Sequence, residues 1–130
     1  MTTFNVAVYG SLLSGLSNNH ILGDSIYKGT FNTKEEYSMY SLGGFPAIVE
    51  GGHTSIKCEV YEVSTSTLLS LDRLEGYDQQ HPSRCFYNRK EIDTSFGKAY
   101  IYLLDSMNNK EEVEDGDWRK YYEKRGSFLY

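Results

Sequence analysis

Residues 6–15 read V-A-V-Y-G-S-L-L-S-G, and this stretch most constrains the fold and the function of the chain. It begins as a strand, because Phe4, Val6 and Val8 alternate with their neighbours in the pattern of a half-buried strand. The strand then breaks at Gly10. A buried strand that ends in a glycine turn leaves backbone N–H groups without partners, and such groups can hold an anion or an oxyanion. We therefore predict a functional site at this strand end.

Four interpretations of the loop after this strand compete. Gly10 and Gly15 have the spacing of a P-loop, but Leu16 stands where the lysine that meets the phosphates is required, so nucleotide binding is disfavoured. Ser11 could be a nucleophile, yet the G-x-S-x-G pattern is absent and no His–Asp partnership is visible. A plain strand-to-loop turn and a cradle for a small anion both stay open.

The chain has 130 residues and is predicted to form one domain, 1–130. Its net charge is −5 and its pI about 5.1, without a basic run, which argues against binding to nucleic acid or to an anionic membrane surface. We find no signal peptide and no apolar run of transmembrane length, so we expect a cytoplasmic protein. Cys58 and Cys85 are then expected to be free, reduced thiols.

Periodicity and turn signals predict further elements along the chain. Strands are expected around residues 27–31 and 37–42, from Pro46 onward, and over residues 55–63, 84–92 and 98–104. Residues 64–66 offer hydroxyls for a helix N-cap. We expect residues 108–117, which are acidic and polar, to form an exposed loop or a short helical piece. A short C-terminal helix over 117–124 would dock Trp118 on the body of the protein.

The helix expected after Ser66 contains two carboxylates on its apolar side. Placing residues about 100° apart assigns that side to four leucines: Leu68, Leu69, Leu71 and Leu74. Asp72 and Glu75 fall within the same arc. Because burying an unpaired charge is costly, we expect Asp72 either to lie at the rim or to pair with an arginine such as Arg89. For Glu75 a rim position and a buried one both stay open.

Glu75 lies in the last turn of this helix, because Gly76 is a good C-cap. Partial burial and the negative end of the helix dipole would both raise the pKa of this carboxyl. A raised pKa suits a group that accepts and returns a proton near neutral pH. The residues alone therefore suggest Glu75 as a general acid/base.

These residues resemble the γ-glutamyl cyclotransferase superfamily, including γ-glutamylamine cyclotransferase and small bacterial and phage-type members. Seven short motifs follow the family's order: Y-G-S-L at 9–12, N-H at 19–20, F-P-A-I-V at 45–49, E-V-Y at 59–61, L-D-x-x-E at 71–75, Y-N-R at 87–89 and G-D-W at 116–118. The sequence departs from the family pattern at Leu13 and Ser14, at Cys58, and in the segment between Glu75 and Tyr87, which is longer here. Because these positions would line the entrance of the site, the departures concern the identity of the substrate rather than the type of reaction.

The resemblance implies an α+β fold, a small mixed β-barrel flanked by short helices. It also implies a reaction in which the substrate's α-amino group attacks its own γ-carbonyl, so that an amine leaves and 5-oxoproline remains. The implied site residues are Glu75 as catalytic acid/base, Tyr9, Gly10, Ser11, Leu12 and Tyr87 as substrate-binding residues, and Asp72 and Arg89 as supporting residues.

No cofactor or metal is expected, because the candidate ligands do not show the spacing of a metal site. Those candidates are His20, His53, His81, Cys58 and Cys85. The expected partner is a small γ-glutamyl molecule, and the oligomeric state stays open. The competing function is a non-catalytic module that uses the same fold to bind a small ligand or a protein.

Overall fold

Seven β-strands and two α-helices make up the described part of a computed structural model, which covers residues 2–78, 80–81, 86–106 and 111–127. The strands are β1 (Thr3–Val8), β2 (Ile26–Asn32), β3 (Tyr37–Ser41), β4 (Pro46–Glu50), β5 (Lys57–Ser64), β6 (Asn88–Thr94) and β7 (Gly97–Leu103). The helices are α1 (Thr65–Glu75) and α2 (Trp118–Ser127), and a 3₁₀ helix spans Asn19–Leu22. These bounds confirm the predicted elements, except that residues 82–85, including Cys85, lie outside the described residues.

Strand β1 lies at the centre of a five-stranded sheet with the order β2-β5-β1-β7-β6. It runs antiparallel to β5 and parallel to β7. Val6, Val60 and Ile101, one from each of these three strands, are completely buried. The sheet is therefore mixed, as predicted, and the strand that leads into the glycine loop is covered on both sides.

The predicted barrel is wrong, because the sheet does not close. Among the described residues, β2 pairs only with β5 and β6 only with β7, so both are edge strands there. Most residues of β2 are exposed, and β6 has no fully buried residue. Neither edge offers the apolar face that closure would bury. The hairpin of β3 and β4 forms its own small sheet, joined to the end of β7 by a hydrogen bond of 2.9 Å from Leu104 N–H to the Ile48 carbonyl oxygen.

Helix α1 begins and ends at the residues that the sequence indicated. The Ser64 hydroxyl accepts a hydrogen bond of 3.2 Å from Thr67 N–H, and Gly76 closes the helix in the left-handed conformation with φ 69°. The inward stripe has the spacing i, i+3, i+4, i+7 and consists of Leu68, Leu71, Asp72 and Glu75. Both carboxylates therefore lie on the packed side of α1, where Asp72 is buried and pairs with Arg89, and Glu75, for which both positions were left open, is partly buried.

Two of the four leucines do not lie on that stripe. Leu69 is 51% exposed and Leu74 is 40% exposed, so the predicted apolar face was too wide. The helix packs through one narrow stripe, and Leu69 and Leu74 lie outside it.

The exposed loop predicted over 108–117 is confirmed for most of its described residues, since Glu111, Glu112, Glu114 and Asp115 are exposed, and residues 108–110 lie outside the described part of the chain. Val113 is an exception. Ser41 N–H donates to the Glu111 carbonyl and Val113 N–H to the Met39 carbonyl, both at 2.8 Å, so residues 111–113 run beside β3. Val113 is buried, and Trp118 is docked on the body as predicted. Neither helix in the described ranges is long and apolar enough to cross a membrane.

Candidate active site

A cavity of about 450 Å³ opens where β1 ends, where β4 begins and where α1 makes its last turn. Its described lining consists of Ala7, Val8, Tyr9, Gly10, Ser11, Leu12, Ser17, Asn18, Gly44, Phe45, Pro46, Leu74, Glu75, Phe86, Tyr87 and Tyr102. All predicted catalytic and substrate-binding residues line it, although Leu12 and Glu75 are more than sixty positions apart in the sequence. Its size is in the range of small-molecule sites, about 300–1,000 Å³.

The glycine loop presents unpaired N–H groups to this cavity. Within the described residues, the N–H groups of Gly10, Ser11 and Leu12 donate no hydrogen bond, whereas Leu13 N–H donates to the Gly10 carbonyl at 3.0 Å. The Asn19 side-chain amide stabilises the loop by donating a hydrogen bond of 2.9 Å to the Leu12 carbonyl. The backbone can therefore accept an anion or an oxyanion here, as the sequence suggested.

Gly10 is required by a close approach to Pro46. A Cβ atom on Gly10 would lie 2.6 Å from Pro46 Cδ, closer than two carbon atoms can pack. Any side chain at residue 10 would therefore push apart the end of β1 and the start of β4, the two elements that frame the cavity.

Glu75 is a largely buried carboxyl without a hydrogen-bond donor among the described residues. Burial raises its pKa from 4.5 to about 7. The two nearby phenols donate their hydrogen bonds to backbone carbonyls and not to Glu75. The Tyr9 hydroxyl donates to the Tyr102 carbonyl at 2.6 Å, and the Tyr87 hydroxyl donates to the Pro46 carbonyl at 2.7 Å. The carboxyl is therefore free to exchange a proton with a bound molecule near neutral pH.

Both phenols stay neutral at physiological pH. Burial, followed by the proximity of Tyr87 and Glu75, raises the pKa of Tyr9 well above its ordinary value. Burial and then the proximity of Glu75 also raise the pKa of Tyr87. These rings thus give the cavity neutral walls beside a single titrating carboxyl.

Asp72 and Arg89 do not line the cavity but form the predicted ion pair behind it. Nη1 of Arg89 donates to both carboxylate oxygens of Asp72, and the Tyr102 hydroxyl donates to Asp72 Oδ1 at 2.7 Å. The guanidinium carbon of Arg89 lies 4.8 Å from the ring centroid of Tyr77 and 4.3 Å from that of Tyr100. The pair therefore joins the end of α1 to β6 and β7, one turn before Glu75.

A second buried carboxylate, Glu59, was not identified as a site-supporting residue from the sequence. Its oxygens accept hydrogen bonds from Ser14 N–H at 2.8 Å and from Arg119 Nη2 at 2.9 Å, and Tyr61 also donates to it. Burial would raise the pKa of Glu59, but these donors together lower it below its ordinary value of 4.5. Glu59 thus connects the glycine loop, through Ser14, with α2, through Arg119.

The sequence indicated only in part that Glu59 is buried. Glu59 alternates with Cys58 and Val60, which is the pattern of a residue on the polar face of a half-buried strand. In the structure, β5 is paired along both edges and buried on both faces. A charge in such a strand requires partners. No pattern in the sequence identified Arg119, sixty positions later, as one of them.

The described residues contain no group of three or more His, Cys, Asp and Glu side chains that could hold a metal ion. His20 is exposed, with Nδ1 3.0 Å from the Ser17 carbonyl oxygen. Cys58 is a buried free thiol, and burial raises its pKa to about 12. None of these three observations adds a ligand to the cavity.

Comparisons with known proteins find relatives that match most of the chain. A sequence model of the family described as gamma-glutamyl cyclotransferase, AIG2-like matches residues 6–120. A Vibrio cholerae protein named "Putative gamma-glutamylcyclotransferase" is 41% identical over 114 residues, which cover 87% of this chain and 93% of that protein. The gamma-glutamylcyclotransferase family protein YtfP of Escherichia coli is 32% identical over 114 residues, 87% of this chain and 94% of YtfP.

Two solved structures share the fold. The solution structure of YtfP superimposes with a TM-score of 0.70 at 30% identity, over 92% of this chain and 99% of that one. The crystal structure of the uncharacterized protein PH0828 from Pyrococcus horikoshii gives a TM-score of 0.78 at 24% identity, over 98% and 99% of the two chains. The architecture described above is therefore shared by proteins of bacterial and archaeal origin.

Proposed function

Because the chain belongs to the gamma-glutamyl cyclotransferase, AIG2-like family, we propose that it releases 5-oxoproline from a small γ-glutamyl amine or γ-glutamyl amino acid. The substrate's α-amino nitrogen attacks its own γ-carbonyl carbon and closes a five-membered lactam. The bond from that carbon to the substituent nitrogen then breaks, and the substituent leaves as an amine. No atom is added from outside. At neutral pH the α-nitrogen starts as an ammonium and ends as the lactam N–H, so it loses two protons, and the leaving nitrogen gains two and departs as an ammonium.

Glu75 moves these protons one at a time. An ammonium group has no lone pair, so the α-amino group must lose its first proton before it attacks. A carboxylate with a pKa of about 7 can take that proton at neutral pH and give it to the leaving nitrogen as the C–N bond breaks. The carboxylate then takes the second proton from the ring nitrogen and passes it to the released amine, which returns Glu75 to its ionised form. The absence of a described donor on Glu75 supports this role, because both oxygens are available to the substrate.

The glycine loop holds the negative charge of the substrate. Negative charge develops on the γ-carbonyl oxygen when the lactam closes, and the unpaired N–H groups of Gly10, Ser11 and Leu12 can stabilise it or bind the α-carboxylate. Tyr9 and Tyr87 supply neutral walls that keep the glutamyl chain folded. Because the attack is intramolecular, holding that folded shape supplies much of the rate.

One observation carries the proposal. Glu75, raised in pKa by burial, shares a cavity with unpaired backbone donors at the end of β1. This juxtaposition combines a proton acceptor with a site for negative charge, the two requirements of the lactam closure.

The test is a screen for 5-oxoproline release by mass spectrometry on γ-glutamyl amines and γ-glutamyl amino acids. We expect turnover of at least one compound and no 5-oxoproline from the matched α-glutamyl isomers, which lack the substituted γ-carbonyl. No release from any γ-glutamyl compound would contradict the proposal. If 5-oxoproline then still raised the melting temperature, the chain would be a small-ligand binding module on the same fold.

A further inference from the structure

Three large apolar side chains are exposed around the opening of the cavity. Phe45 is 41% exposed, Leu74 is 40% exposed and Phe86 is 56% exposed, and all three line the cavity. They come from three separate segments of the chain, so no single loop accounts for their clustering. Large apolar side chains that both line a pocket and reach solvent indicate a surface that contacts a ligand.

These side chains flank the proton-transferring carboxyl. Leu74 directly precedes Glu75 on α1. Phe86 packs edge-to-face on Tyr87, with ring centroids 5.0 Å apart and an interplanar angle of 87°. Phe45 lies at the start of β4, beside Pro46, which approaches Gly10. In the proposed reaction the leaving nitrogen must reach Glu75, so the substituent on that nitrogen lies against this apolar rim.

The described rim and walls supply no counter-charge for a charged substituent. Glu75 is the only acidic or basic residue among the described lining residues, since Lys, Arg, His and Asp are absent from that set. A carboxylate or a second ammonium on the substituent would lose water at the rim without gaining a partner, which is costly. An apolar substituent would instead cover the three exposed side chains.

We propose that the leaving group is an apolar primary amine, aromatic or branched aliphatic, that carries neither a carboxylate nor a second ammonium. It packs against Phe45, Leu74 and Phe86 while Glu75 protonates its nitrogen. This inference rests on the proposed cyclotransferase function and specifies its substrate class. The bonds made and broken are those already given, with the apolar amine as the released product.

Two matched pairs of substrates test the inference by kcat/KM for 5-oxoproline release. γ-Glutamyl-3-methylbutylamide differs from γ-glutamyl-leucine by one carboxylate, and γ-glutamyl-pentylamide differs from the 5-aminopentylamide by one ammonium. We expect the uncharged member of each pair to be preferred by roughly 10-fold or more, the scale of discrimination in an apolar pocket. Equal or better turnover of the charged members would overturn the inference and leave the cyclotransferase activity intact. No release from any of the four would overturn the inference, and the broader screen of γ-glutamyl compounds would then decide whether the cyclotransferase activity exists.

Variants of two rim residues test whether the preference for uncharged substituents arises at the rim. Leu74→Glu should reduce the preference of pentylamide over the aminopentylamide by about 10-fold, because it provides a carboxylate for the ammonium. Leu69→Glu is the matched control, since Leu69 is also exposed on α1 but does not line the cavity. Phe86→Ser, at a residue that is 56% exposed, should raise KM for the pentylamide without lowering the melting temperature. An unchanged preference in Leu74→Glu together with an unchanged KM for the pentylamide in Phe86→Ser would place the substituent elsewhere and overturn the inference.

Discussion

Arg89 Nη1 donates to Asp72 Oδ1 at 3.0 Å and to Asp72 Oδ2 at 2.8 Å, and both side chains are nearly removed from solvent. The pair holds the last turn of α1 on β6, while the Tyr102 hydroxyl holds the same carboxylate from β7. Glu75 follows Asp72 by three residues on that turn. The position of the proposed acid/base therefore depends on an ion pair that does not itself reach the cavity.

Asp72→Asn should lower both the stability and the activity. Removing one partner of a buried ion pair leaves the other charge uncompensated, which costs about 3–5 kcal/mol of unfolding free energy. Urea denaturation measures this loss, and 5-oxoproline release should fall with it. The matched control is Asp93→Asn, which breaks the exposed pair with Lys98 and should leave the urea midpoint almost unchanged. Similar losses in the two variants would contradict the role of the buried pair.

Glu59→Gln should destabilise the protein in a pH-dependent way. Because the pKa of Glu59 is lowered below 4.5, its ionised form stabilises the folded state above that pH, and this contribution is lost as the pH falls through the lowered pKa. We expect a loss of about 1.5–3 kcal/mol at pH 7, the scale of a hydrogen bond to a charged group. Urea midpoints from pH 7 down to pH 3 should show the difference from the parent shrinking. A constant difference across that series would contradict this account.

Much of the fold was predictable because it follows local rules. Three features each depend on a few neighbouring residues: the alternation of apolar and polar side chains that ends at Gly10, the helix N-cap at Ser64 and the helix end at Gly76. The place of Glu75 within the apolar arc of α1 followed from helical geometry alone. That Glu75 shares a cavity with the Gly10 loop was inferred from the site chemistry and the family resemblance together.

The parts that were wrong depend on contacts between distant segments. Whether the sheet closes is decided by β2 and β6, whose sequences do not reveal that each has one partner. Leu69 is exposed because α1 packs on the protein through a narrow stripe of side chains that excludes it. Val113 is buried because residues 111–113 run beside β3. The network of Glu59, Ser14 and Arg119 joins three distant segments and has no periodic signal.

The pH dependence of kcat/KM should show an acid limb at about pH 7. Burial raises the pKa of Glu75 to that value, and only the ionised carboxylate can accept the proton of the α-ammonium group. Below this pH the rate should therefore fall about tenfold per pH unit. Melting temperatures recorded at each pH separate this titration from unfolding. A limb near 4.5, the ordinary value for a glutamate, would contradict a raised pKa of Glu75.

The most direct test of the central claim compares Glu75→Gln with the parent in 5-oxoproline release, with thermal unfolding measured on both. Glutamine keeps the size and polarity of the side chain but cannot shuttle the proton, so turnover should fall by roughly 10²-fold or more. The melting temperature should hold or rise slightly, because a largely buried charge is removed, and 5-oxoproline should still stabilise the variant. Glu91→Gln, at an exposed carboxylate, is the control and should keep full activity. Full activity in Glu75→Gln would contradict the assignment of Glu75 as the general acid/base.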